Sequence, residues 1–488
     1  MKPMSIVTKA LGASISVAGK SKAKRVKAPE IPKAEFHYTA KAKGKTFQVG
    51  FGKESIMPVD ISKKKYYIAG YGMYKPATGI LDTLYAHAVW IDDRSGKGGI
   101  VLVSLDAVGM LKTDVDIIKK YLKPFCQRTG CRNINIVCTH DHAGIDTMGI
   151  WGAVPRTGRT KEFMELVRDS IVAACEKAYE DRREGALFHG TIEVPDMQED
   201  IRLPKVYSKT LTRLRFAPSD GTRETYILNF ASHSESLSSR NKQISADFPA
   251  YLRKEIFEKT GAETVYCVGA IGGMISMEVH GKTMPERIEI TKGLGVKLAG
   301  YATAIENERQ LMPRISFIKQ EFYFDAANIV LMTMAQLSVL QVKRYYSADS
   351  SLGYLLKSEM TYLEIDDLHM AFVPGEIFPE LVYGGYLSAE ESAEGLPPTV
   401  NPLPLSEIAG DKNLLVFGLA NDEVGYMVPP NDFMLHPETP YLDRPIDRLG
   451  RRHYEETNSL GPNTAPKVAA VFTELMETVK KTKARIEA

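Results

Sequence analysis

The sequence predicts an α/β fold, a layered domain in which a mixed, largely buried sheet is flanked by helices. Three observations point to this class: a globular composition, short continuous apolar runs, and amphipathic segments that alternate with those runs. Hydrophobic residues make up 44% of the 488 residues and charged residues make up 25%. A chain of this length and composition can bury a large core, which excludes the disordered, collagenous and disulfide-scaffold classes.

The predicted strands are brief runs rich in Val, Ile, Leu, Phe and Tyr. Continuous apolar runs of this kind are typical of strands that are covered on both faces. They lie at residues 99–105, 133–138, 225–230, 264–268, 370–373 and 414–419. The sheet that they form is therefore expected to lie inside the domain rather than at its surface.

Amphipathic segments follow several of these runs and predict the helices that cover the sheet. Residues 161–182 place Phe163, Val167 and Ile171 on one stripe, the spacing of a helix with one buried face. The same reasoning predicts further helices at residues 248–259, 288–306 and from 466 onwards. The most apolar stretch, residues 329–342, is too short to cross a membrane and predicts a buried helix.

Positive charge is concentrated at the N-terminal end of the sequence. Residues 1–45 contain eleven Lys and Arg against two Glu, a net charge of +9, whereas the whole chain carries only +2. The near-neutral total excludes a general affinity for nucleic acid. A basic, polar segment is typical of a disordered solubilising leader, and contact with an anionic membrane is the alternative. We therefore predict a leader over residues 1–45 and a single domain over 46–488.

The cysteines indicate the compartment in which the protein works. There are five of them, an odd number, and none has the Cys-x-x-Cys spacing of a zinc knuckle or a redox motif. They are expected to be small buried side chains in a reducing environment rather than a disulfide framework. Because no secretory signal is evident either, we expect a cytoplasmic protein.

Five of the apolar runs end in turns rich in Gly and polar residues. These turns lie at residues 139–144, 231–236, 269–273, 374–376 and 420–426. Ligands of open α/β sheets bind outside the carboxyl ends of the strands, where such turns converge. The five turns are therefore expected to line one crevice, which is the predicted functional site.

The side chains in these turns have the chemistry of metal ligands. His140 and His142 form a His-x-His element, and His233 and Glu376 each follow a further strand. Imidazoles and a carboxylate from separate strand ends match the ligands of a catalytic Zn²⁺, which keeps one position open for water. The second ring of such an element commonly handles protons. Taken singly, the histidines also fit buried core residues, and Glu376 fits a helix cap.

Several of these motifs carry a resemblance to a known family. The most specific are Thr-His-Asp-His-Ala-Gly at residues 139–144 and Pro-Gly-Glu at 374–376, and residues 229–233 and 418–426 extend the match in the same order. In these motifs the chain resembles the neutral/alkaline (non-lysosomal) ceramidases, zinc amidases that cleave the N-acyl bond of ceramide, over their N-terminal catalytic domain. The resemblance begins near residue 49 and covers nearly the whole predicted domain.

The resemblance implies a role for individual residues of this chain. By motif, the zinc ligands fall on His140, His233, Glu376 and Tyr426. The second histidine of the family motif corresponds to His142, our candidate for proton transfer to the leaving amine. Tyr454 corresponds to a further active-site tyrosine and is expected to donate to the oxyanion, although its spacing differs from that of the family.

The sequence departs from the family pattern at three places. Residues 270–276 lack the Asn, Asp and Ser of the family segment, so only backbone N–H groups remain there as donors. The turn at 79–82 has Leu81 where the family has a histidine. Many ceramidases carry a C-terminal β-sandwich, and we expect none here because the sequence closes with the helix predicted at 465–488.

Together these features predict a zinc-dependent amide hydrolase that releases a fatty acid from an N-acyl sphingoid or a related N-acyl lipid. The loss of side chains in residues 270–276 leaves open a non-catalytic relative that binds a lipid or a metabolite. A zinc hydrolase of another small amide or ester is the third reading. The expected substrate is a small lipid-like amide, reached in the cytoplasm or in peripheral contact with an anionic membrane through residues 1–45.

Overall fold

The computed structural model of the protein describes residues 3–487. Residues 1 and 2 of the predicted leader and residue 488 of the predicted last helix lie outside that range. The helices are α1 (Pro3–Ala23), α2 (Lys112–Tyr121), α3 (Lys123–Thr129), α4 (Lys161–Glu180), α5 (Phe248–Thr260), α6 (Met284–Thr303), α7 (Ile329–Gln336), α8 (Glu380–Tyr383), α9 (Leu405–Ala409) and α10 (Thr464–Glu487).

The strands occupy twenty short segments between these helices. They are β1 (Phe47–Ser55), β2 (Gly79–Ile80), β3 (Tyr85–Asp92), β4 (Ile100–Leu105), β5 (Asn133–Cys138), β6 (Arg183–Glu193), β7 (Gln198–Asp200), β8 (Thr210–Pro218), β9 (Thr225–Phe230), β10 (Gln243–Ile244), β11 (Glu263–Val268), β12 (Ile275–Met277), β13 (Glu308–Gln310), β14 (Ile315–Asp325), β15 (Arg344–Tyr346), β16 (Tyr354–Ile365), β17 (Leu368–Phe372), β18 (Glu376–Ile377), β19 (Leu415–Phe417) and β20 (Tyr426–Met427). The predicted strands and helices are found within a few residues of their expected bounds, except that the helix predicted over residues 329–342 already ends at Gln336.

The largest sheet is mixed, as predicted. Its strands lie in the order β11–β9–β8–β6–β1–β3–β4–β5, and β13 pairs with β6. The pairs β11–β9 and β4–β5 are parallel and the other neighbours are antiparallel. Helix α4 packs across β1 at a close approach, because a Cβ at Gly50 would lie 2.1 Å from the carbonyl oxygen of Ala178. Only glycine fits between the helix and the sheet at that position.

A second sheet packs on the first, which corrects the expectation of a single sheet. It has the order β14–β16–β17–β19, with β15 paired to β16. Two of the predicted strands, β17 and β19, belong to it. Their Phe372 and Phe417 rings stack 4.5 Å apart and face the core that the two sheets share. The sequence does not distinguish the two sheets. A strand covered by another sheet and a strand covered by a helix both have a continuous apolar sequence.

Helices cover the outer faces of the two sheets, so the fold class predicted from the sequence is confirmed as layered α/β. Trp90 of β3 meets the ring of Tyr179 of α4 edge-on, with centroids 5.0 Å apart, in the core on the helical side of the first sheet. On the outer side of the second sheet, Phe472 of α10 packs against Tyr362 of β16. The layers are therefore helix, sheet, sheet and helix, and α10 is the last element of the described residues.

The segment after β19 joins the edge strands of the first sheet and brings their carboxyl ends together. The Gly418 N–H donates to the carbonyl oxygen of Val268 at 3.1 Å, and the Cys138 N–H donates to that of Leu419 at 3.2 Å. Near these edges, the Ser104 hydroxyl of β4 donates to the Tyr266 carbonyl of β11 at 2.6 Å. The turns that follow β5, β11 and β19 therefore meet at one end of the molecule.

Part of the segment expected to be a disordered leader is helical. Helix α1 (Pro3–Ala23) packs on α7, β15 and β16, and Ile15 is buried there. Its small residues allow this contact, because a Cβ at Gly19 would lie 2.2 Å from the Leu352 carbonyl oxygen. Composition alone does not reveal such packing, since Gly, Ala, Ser and Lys are equally typical of disordered segments. Within residues 3–487 no helix has the length and hydropathy of a membrane-spanning segment.

Candidate metal and catalytic site

Two histidines at strand ends present their Nε2 atoms to one point. His140 follows β5 with a φ of 54°, in the left-handed region, and its Nδ1 lies 2.7 Å from the carbonyl oxygen of Val108. His233 follows β9, and its Nδ1 lies 2.8 Å from the carbonyl oxygen of Ile275. Because a carbonyl only accepts, each Nδ1 carries a proton, and in the neutral form of either ring the Nε2 keeps its lone pair.

The carboxylate of Glu376 completes this group. Its Oε2 lies 3.3 Å from the Nε2 of His140 and 3.0 Å from the Nε2 of His233. With neutral imidazoles, two lone pairs and a carboxylate oxygen would converge in a buried space, which requires a cation between them, either a proton or a metal ion. Burial opposes ionisation of Glu376, but the adjacent imidazoles outweigh it and lower the pKa of the carboxyl.

His142 adds a third imidazole to the cluster. The ligand atoms of His140, His142 and His233 all lie within 4.8 Å of one another, and the three side chains are buried. Neither ring nitrogen of His142 has a hydrogen-bond partner among residues 3–487. Burial, together with the neighbouring His140, lowers the pKa of His142 to about 3. A buried neutral imidazole without partners is suited either to a metal or to a proton in transit.

The position of the His142 ring is fixed by its surroundings. A Cβ at Gly70, whose φ is +94°, would lie 2.4 Å from the Cγ of His142, so the backbone lies directly against the ring. The Tyr71 ring meets it edge-on with centroids 5.0 Å apart. On the third side, the Nδ1 of His142 lies 3.6 Å from the Oε2 of Glu235.

Glu235 is a site residue that the sequence reasoning did not single out. The Tyr71 hydroxyl donates to its Oε2 at 2.8 Å, and the Ser276 hydroxyl donates to its Oε1. Burial raises the pKa of Glu235, but the nearby His142 outweighs it and the pKa is lowered overall. The available signal was its position: it is the acidic residue of the turn that holds His233.

The two predicted tyrosines lie side by side, although 28 residues separate them in the chain. Tyr426 of β20 pairs in parallel register with Glu376 of β18, and its hydroxyl oxygen lies 2.9 Å from that of Tyr454. Both hydroxyls donate to the Sδ of Met274, at 3.3 Å from Tyr426 and 2.7 Å from Tyr454. Burial raises the pKa of both phenols well above its usual value, so they remain protonated donors.

The segment at residues 270–276 lies against β18. It presents the sulfur of Met274 to the site, whereas the sequence predicts backbone N–H donors there. Its Gly272 N–H donates to the carbonyl oxygen of Ile377 at 2.9 Å and is therefore not free to act as an oxyanion donor. Met274, with a φ of 66°, turns its sulfur towards the two tyrosines. A thioether thus faces the site from this segment. The Ser276 hydroxyl, which donates to Glu235, corrects the expectation that only backbone N–H groups remain here as donors.

A cavity of about 510 Å³ opens from the cluster. At one end it is lined by His140, His142, Glu376, Tyr426 and Tyr454. Apolar side chains line much of the remainder, among them Trp151, Leu331, Leu340, Val342, Leu356 and Leu460. Residues 331, 340 and 342 belong to the stretch predicted to be a buried helix, of which only Ile329–Gln336 is helical as α7. The cavity therefore combines the polar cluster with a largely apolar lining.

All six residues singled out as site residues from the sequence lie at this cavity or its floor. Five line the cavity directly, and His233 lies behind them in contact with Glu376. Whether four of them bind zinc and two act on the substrate stays a prediction.

Comparisons with known proteins agree with this picture. Residues 47–270 match the family model of the neutral/alkaline non-lysosomal ceramidases, N-terminal. A crystal structure of neutral ceramidase from Pseudomonas aeruginosa matches 90% of this chain and 75% of its own, with a TM-score of 0.68 at 16% identity. A ceramidase structure described as complexed with C2 matches 90% of this chain and 76% of its own, with a TM-score of 0.68 at 14% identity.

None of the curated proteins compared with the chain matches it. The predicted resemblance is nevertheless confirmed by the family model over residues 47–270, and the solved structures share the fold beyond that range. The chain is similar to the neutral/alkaline non-lysosomal ceramidases in their N-terminal domain.

Proposed function

We propose that the protein is a zinc-dependent, ceramidase-like amide hydrolase that releases a fatty acid from an N-acyl sphingoid or a related N-acyl lipid. The observation that carries this proposal is the convergence of three atoms able to bind a metal, the Nε2 of His140, the Nε2 of His233 and the Oε2 of Glu376, beside a largely apolar cavity. The similarity of residues 47–270 to the ceramidases supports the same reaction class.

The residues present fit a zinc ion. Nitrogen and oxygen donors in a buried site that requires a cation are the set that catalytic zinc prefers. His140, His233 and Glu376 would hold it, with Tyr426 beside Glu376 as the fourth ligand implied by the family. His142, whose ring nitrogens lack partners among residues 3–487, stands next to the ion as a proton carrier or as an alternative ligand. When bound, zinc supplies a Lewis acid and activates water towards an amide carbonyl.

The surrounding side chains carry out the proton and charge steps of amide hydrolysis. The neutral imidazole of His142 faces the cavity and can accept a proton and return it to the leaving nitrogen. The Tyr454 hydroxyl, held protonated by burial, is the donor for the oxygen that becomes negatively charged. For this role it must exchange its present acceptor, the sulfur of Met274, for the substrate oxygen.

The shape of the cavity supports an acyl-lipid substrate. Leu331, Leu340 and Val342 form part of the cavity wall, where an aliphatic chain displaces water at a gain of roughly 0.8 kcal/mol per buried methylene. The scissile amide then lies at the polar end, beside His142 and Tyr454. An apolar wall of this kind favours acyl amides over small polar ones.

We further propose that the protein works in the cytoplasm, with peripheral contact to anionic membranes through the basic residues of 1–45. Lys20, Lys24 and Lys27 of this segment are exposed. Clustered exposed lysines are attracted to anionic headgroups at roughly 1 kcal/mol each near the surface.

The function is tested by measuring fatty-acid release from a ceramide labelled in its acyl chain. We expect release by the purified protein, loss on removal of metal with a chelator, and recovery when zinc is added back. His142→Ala should lower kcat strongly, whereas His280→Ala, whose side chain is 81% exposed, serves as the matched control and should leave it unchanged. Release that is insensitive to the chelator would contradict the proposal.

A non-catalytic, lipid-binding relative is the second candidate, because Met274 occupies both tyrosine hydroxyls. Binding of ceramide without release, in protein that has bound zinc, would favour this reading. The third candidate is a hydrolase of other amides or esters. A panel of substrates with increasing acyl length distinguishes it from an acyl-lipid hydrolase. Equal turnover across the panel would favour it over an acyl-lipid enzyme.

A further inference from the structure

A surface loop at the mouth of the cavity exposes apolar side chains that the proposed reaction does not use. We call residues 441–452 the rim loop. In it Leu442, Ile446 and Leu449 expose 45%, 60% and 49% of their surfaces. Single exposed aliphatic side chains are common, but three within eight residues beside a cavity mouth mark an interaction surface.

The rim loop is held in one shape by its own hydrogen bonds. The buried carboxylate of Asp447 accepts from the N–H groups of Leu449 and Arg451, each at 2.8 Å, and from the Arg451 Nε at 2.6 Å. Ile446 and Arg452 form an antiparallel bridge across this turn, and Gly450 takes a φ of +82° within it. Because Asp447 points inward, Ile446 and Leu449 are held outward, and binding would cost little ordering of the loop.

The rim loop is continuous with the cavity and with a neighbouring loop. Arg444, which lies between Leu442 and Ile446 in the chain, lines the cavity, and its guanidinium carbon lies 5.2 Å from the centre of the Tyr454 ring. On its other side, Arg448 donates to the carbonyl oxygens of Ala389 and Glu390, each at 2.6 Å. The rim loop thus reaches the cavity through Arg444, which stands two residues from Leu442 and two from Ile446 in the chain.

The charge of the rim loop indicates what covers it. Its four arginines outnumber its two aspartates, which gives a net charge of +2, and one of those aspartates, Asp447, is buried and paired. Arg444 and Arg452 are exposed. Aliphatic side chains interleaved with guanidinium groups are typical of segments that lie at a lipid surface, where the aliphatic groups enter the headgroup layer and the cations meet phosphate.

We propose that the rim loop docks on an anionic phospholipid bilayer, with Ile446 and Leu449 inserted among the headgroups and Arg452 at the phosphates. The lipid nature of the substrate, on which the orientation rests, belongs to the proposed function. In this orientation the cavity mouth faces the bilayer, so an N-acyl lipid passes Arg444 into the cavity without crossing water. The surface is distinct from the basic residues of 1–45.

The test is co-sedimentation of the full chain with vesicles of phosphatidylcholine and phosphatidylserine, and with vesicles of phosphatidylcholine alone. We expect binding to the mixed vesicles that weakens with salt. The double variant Ile446→Asn/Leu449→Asn should lower the partition coefficient at least about tenfold, since each inserted aliphatic side chain contributes several methylene groups. Arg452→Gln should lower it about fivefold, the factor that corresponds to roughly 1 kcal/mol per cation.

A matched control removes exposed apolar side chains elsewhere. Phe257 of α5 and Val296 of α6 expose 50% and 40% of their surfaces, and the double variant Phe257→Asn/Val296→Asn should bind as the wild type does. Thermal unfolding followed by circular dichroism checks that each variant folds. Since all these positions are exposed, we expect unfolding temperatures close to that of the wild type.

Any of the following results would overturn the inference. The wild type does not bind the mixed vesicles, the rim-loop variants bind as the wild type does, or the control variant loses binding to the same extent. A variant with Lys20, Lys24 and Lys27 changed to Gln tests the basic residues of 1–45 separately from the rim loop. Complete loss of vesicle binding in this variant, with binding retained in the rim-loop variants, would also overturn the inference. The vesicles contain no substrate, so a protein that binds them but releases no fatty acid would refute the proposed function and leave the docking surface intact.

Discussion

Gly272 offers a sharp test of how tightly the site is built. It lies in the segment at residues 270–276, pressed against β18, the strand that carries Glu376. A Cβ added at Gly272 would lie 2.6 Å from the backbone nitrogen of Phe378 and 2.7 Å from the carbonyl carbon of Ile377. Because backbone atoms cannot turn aside as a flexible side chain does, Gly272→Ala must displace either β18 or the segment that carries Met274.

The size of the effect follows from these contacts. Overpacking in a close-packed interior costs about 1–3 kcal/mol, and a clash with both atoms of the rigid Ile377–Phe378 peptide bond places Gly272→Ala at the upper end. Gly293 of α6 is the matched control, since no atom lies within 4 Å of a Cβ added there. Gly293→Ala should raise stability by roughly 0.5–1 kcal/mol, because glycine in a helix interior is unfavourable by that amount. The same chemical change is therefore expected to have opposite signs at the two positions.

The free energy of unfolding of both variants is measured by urea denaturation followed by circular dichroism. Zinc affinity is measured in parallel by competition with a chelating dye. We expect Gly272→Ala to lower both quantities, since movement of β18 also moves Glu376. A Gly272→Ala variant as stable as Gly293→Ala, with unchanged zinc affinity, would refute the packing that we describe between residues 270–276 and β18.

Three further predictions concern the ligand, the pH dependence and the cavity. Glu376→Gln should lower zinc affinity, measured by dye competition, by more than about 100-fold. Loss of a residue that only hydrogen-bonds a metal ligand already costs up to about that factor, and loss of a ligand should cost more. An unchanged affinity would show that Glu376 is not a ligand. Burial raises the pKa of Asp82 to about 6, from the ordinary 3.8. The folded state therefore binds this proton more tightly than the unfolded state, so the free energy of unfolding should fall by up to about 3 kcal/mol as pH rises from about 4 to about 6. Urea unfolding of Asp82→Asn should lack this contribution. Equal slopes of the unfolding free energy against pH in both proteins would contradict it. Leu331→Trp should fill part of the cavity and lower kcat/KM for long acyl chains by about fourfold per displaced methylene, with little change for a short one; an equal loss for both would contradict an acyl pocket at Leu331.

The part of the fold that could be predicted is the part that local patterns determine. The runs at 133–138 and 225–230 are found as β5 and β9 because continuous apolar runs bounded by polar turns have few other solutions. The same patterns do not say what covers a strand, so β17 and β19 were assigned to the same sheet as β5 and β9. Helix α1 was missed because its burial depends on contacts with α7 and β16, which lie more than 300 residues away.

Within the site, the residues that lie in specific sequence motifs are the ones that could be predicted. His140 and Glu376 stand directly at strand ends, and the structure brings their side chains within 3.3 Å of each other. The match to Tyr454 has only an irregular spacing, yet its hydroxyl oxygen lies 2.9 Å from that of Tyr426. Glu235 had no motif of its own. Its contact with His142 joins two turns that are far apart in the chain. A single sequence does not indicate which distant residues will be in contact.

The zinc content of the purified protein tests the central claim most directly. Elemental mass spectrometry after dialysis against zinc should give about one ion per folded chain for the wild type and for His280→Ala. We predict less than about a tenth of that content for His140→Ala and for His233→Ala, at unchanged far-ultraviolet circular dichroism. A folded wild-type protein that retains no zinc, or variants that retain as much as the wild type, would contradict the account of a metal held between these histidines.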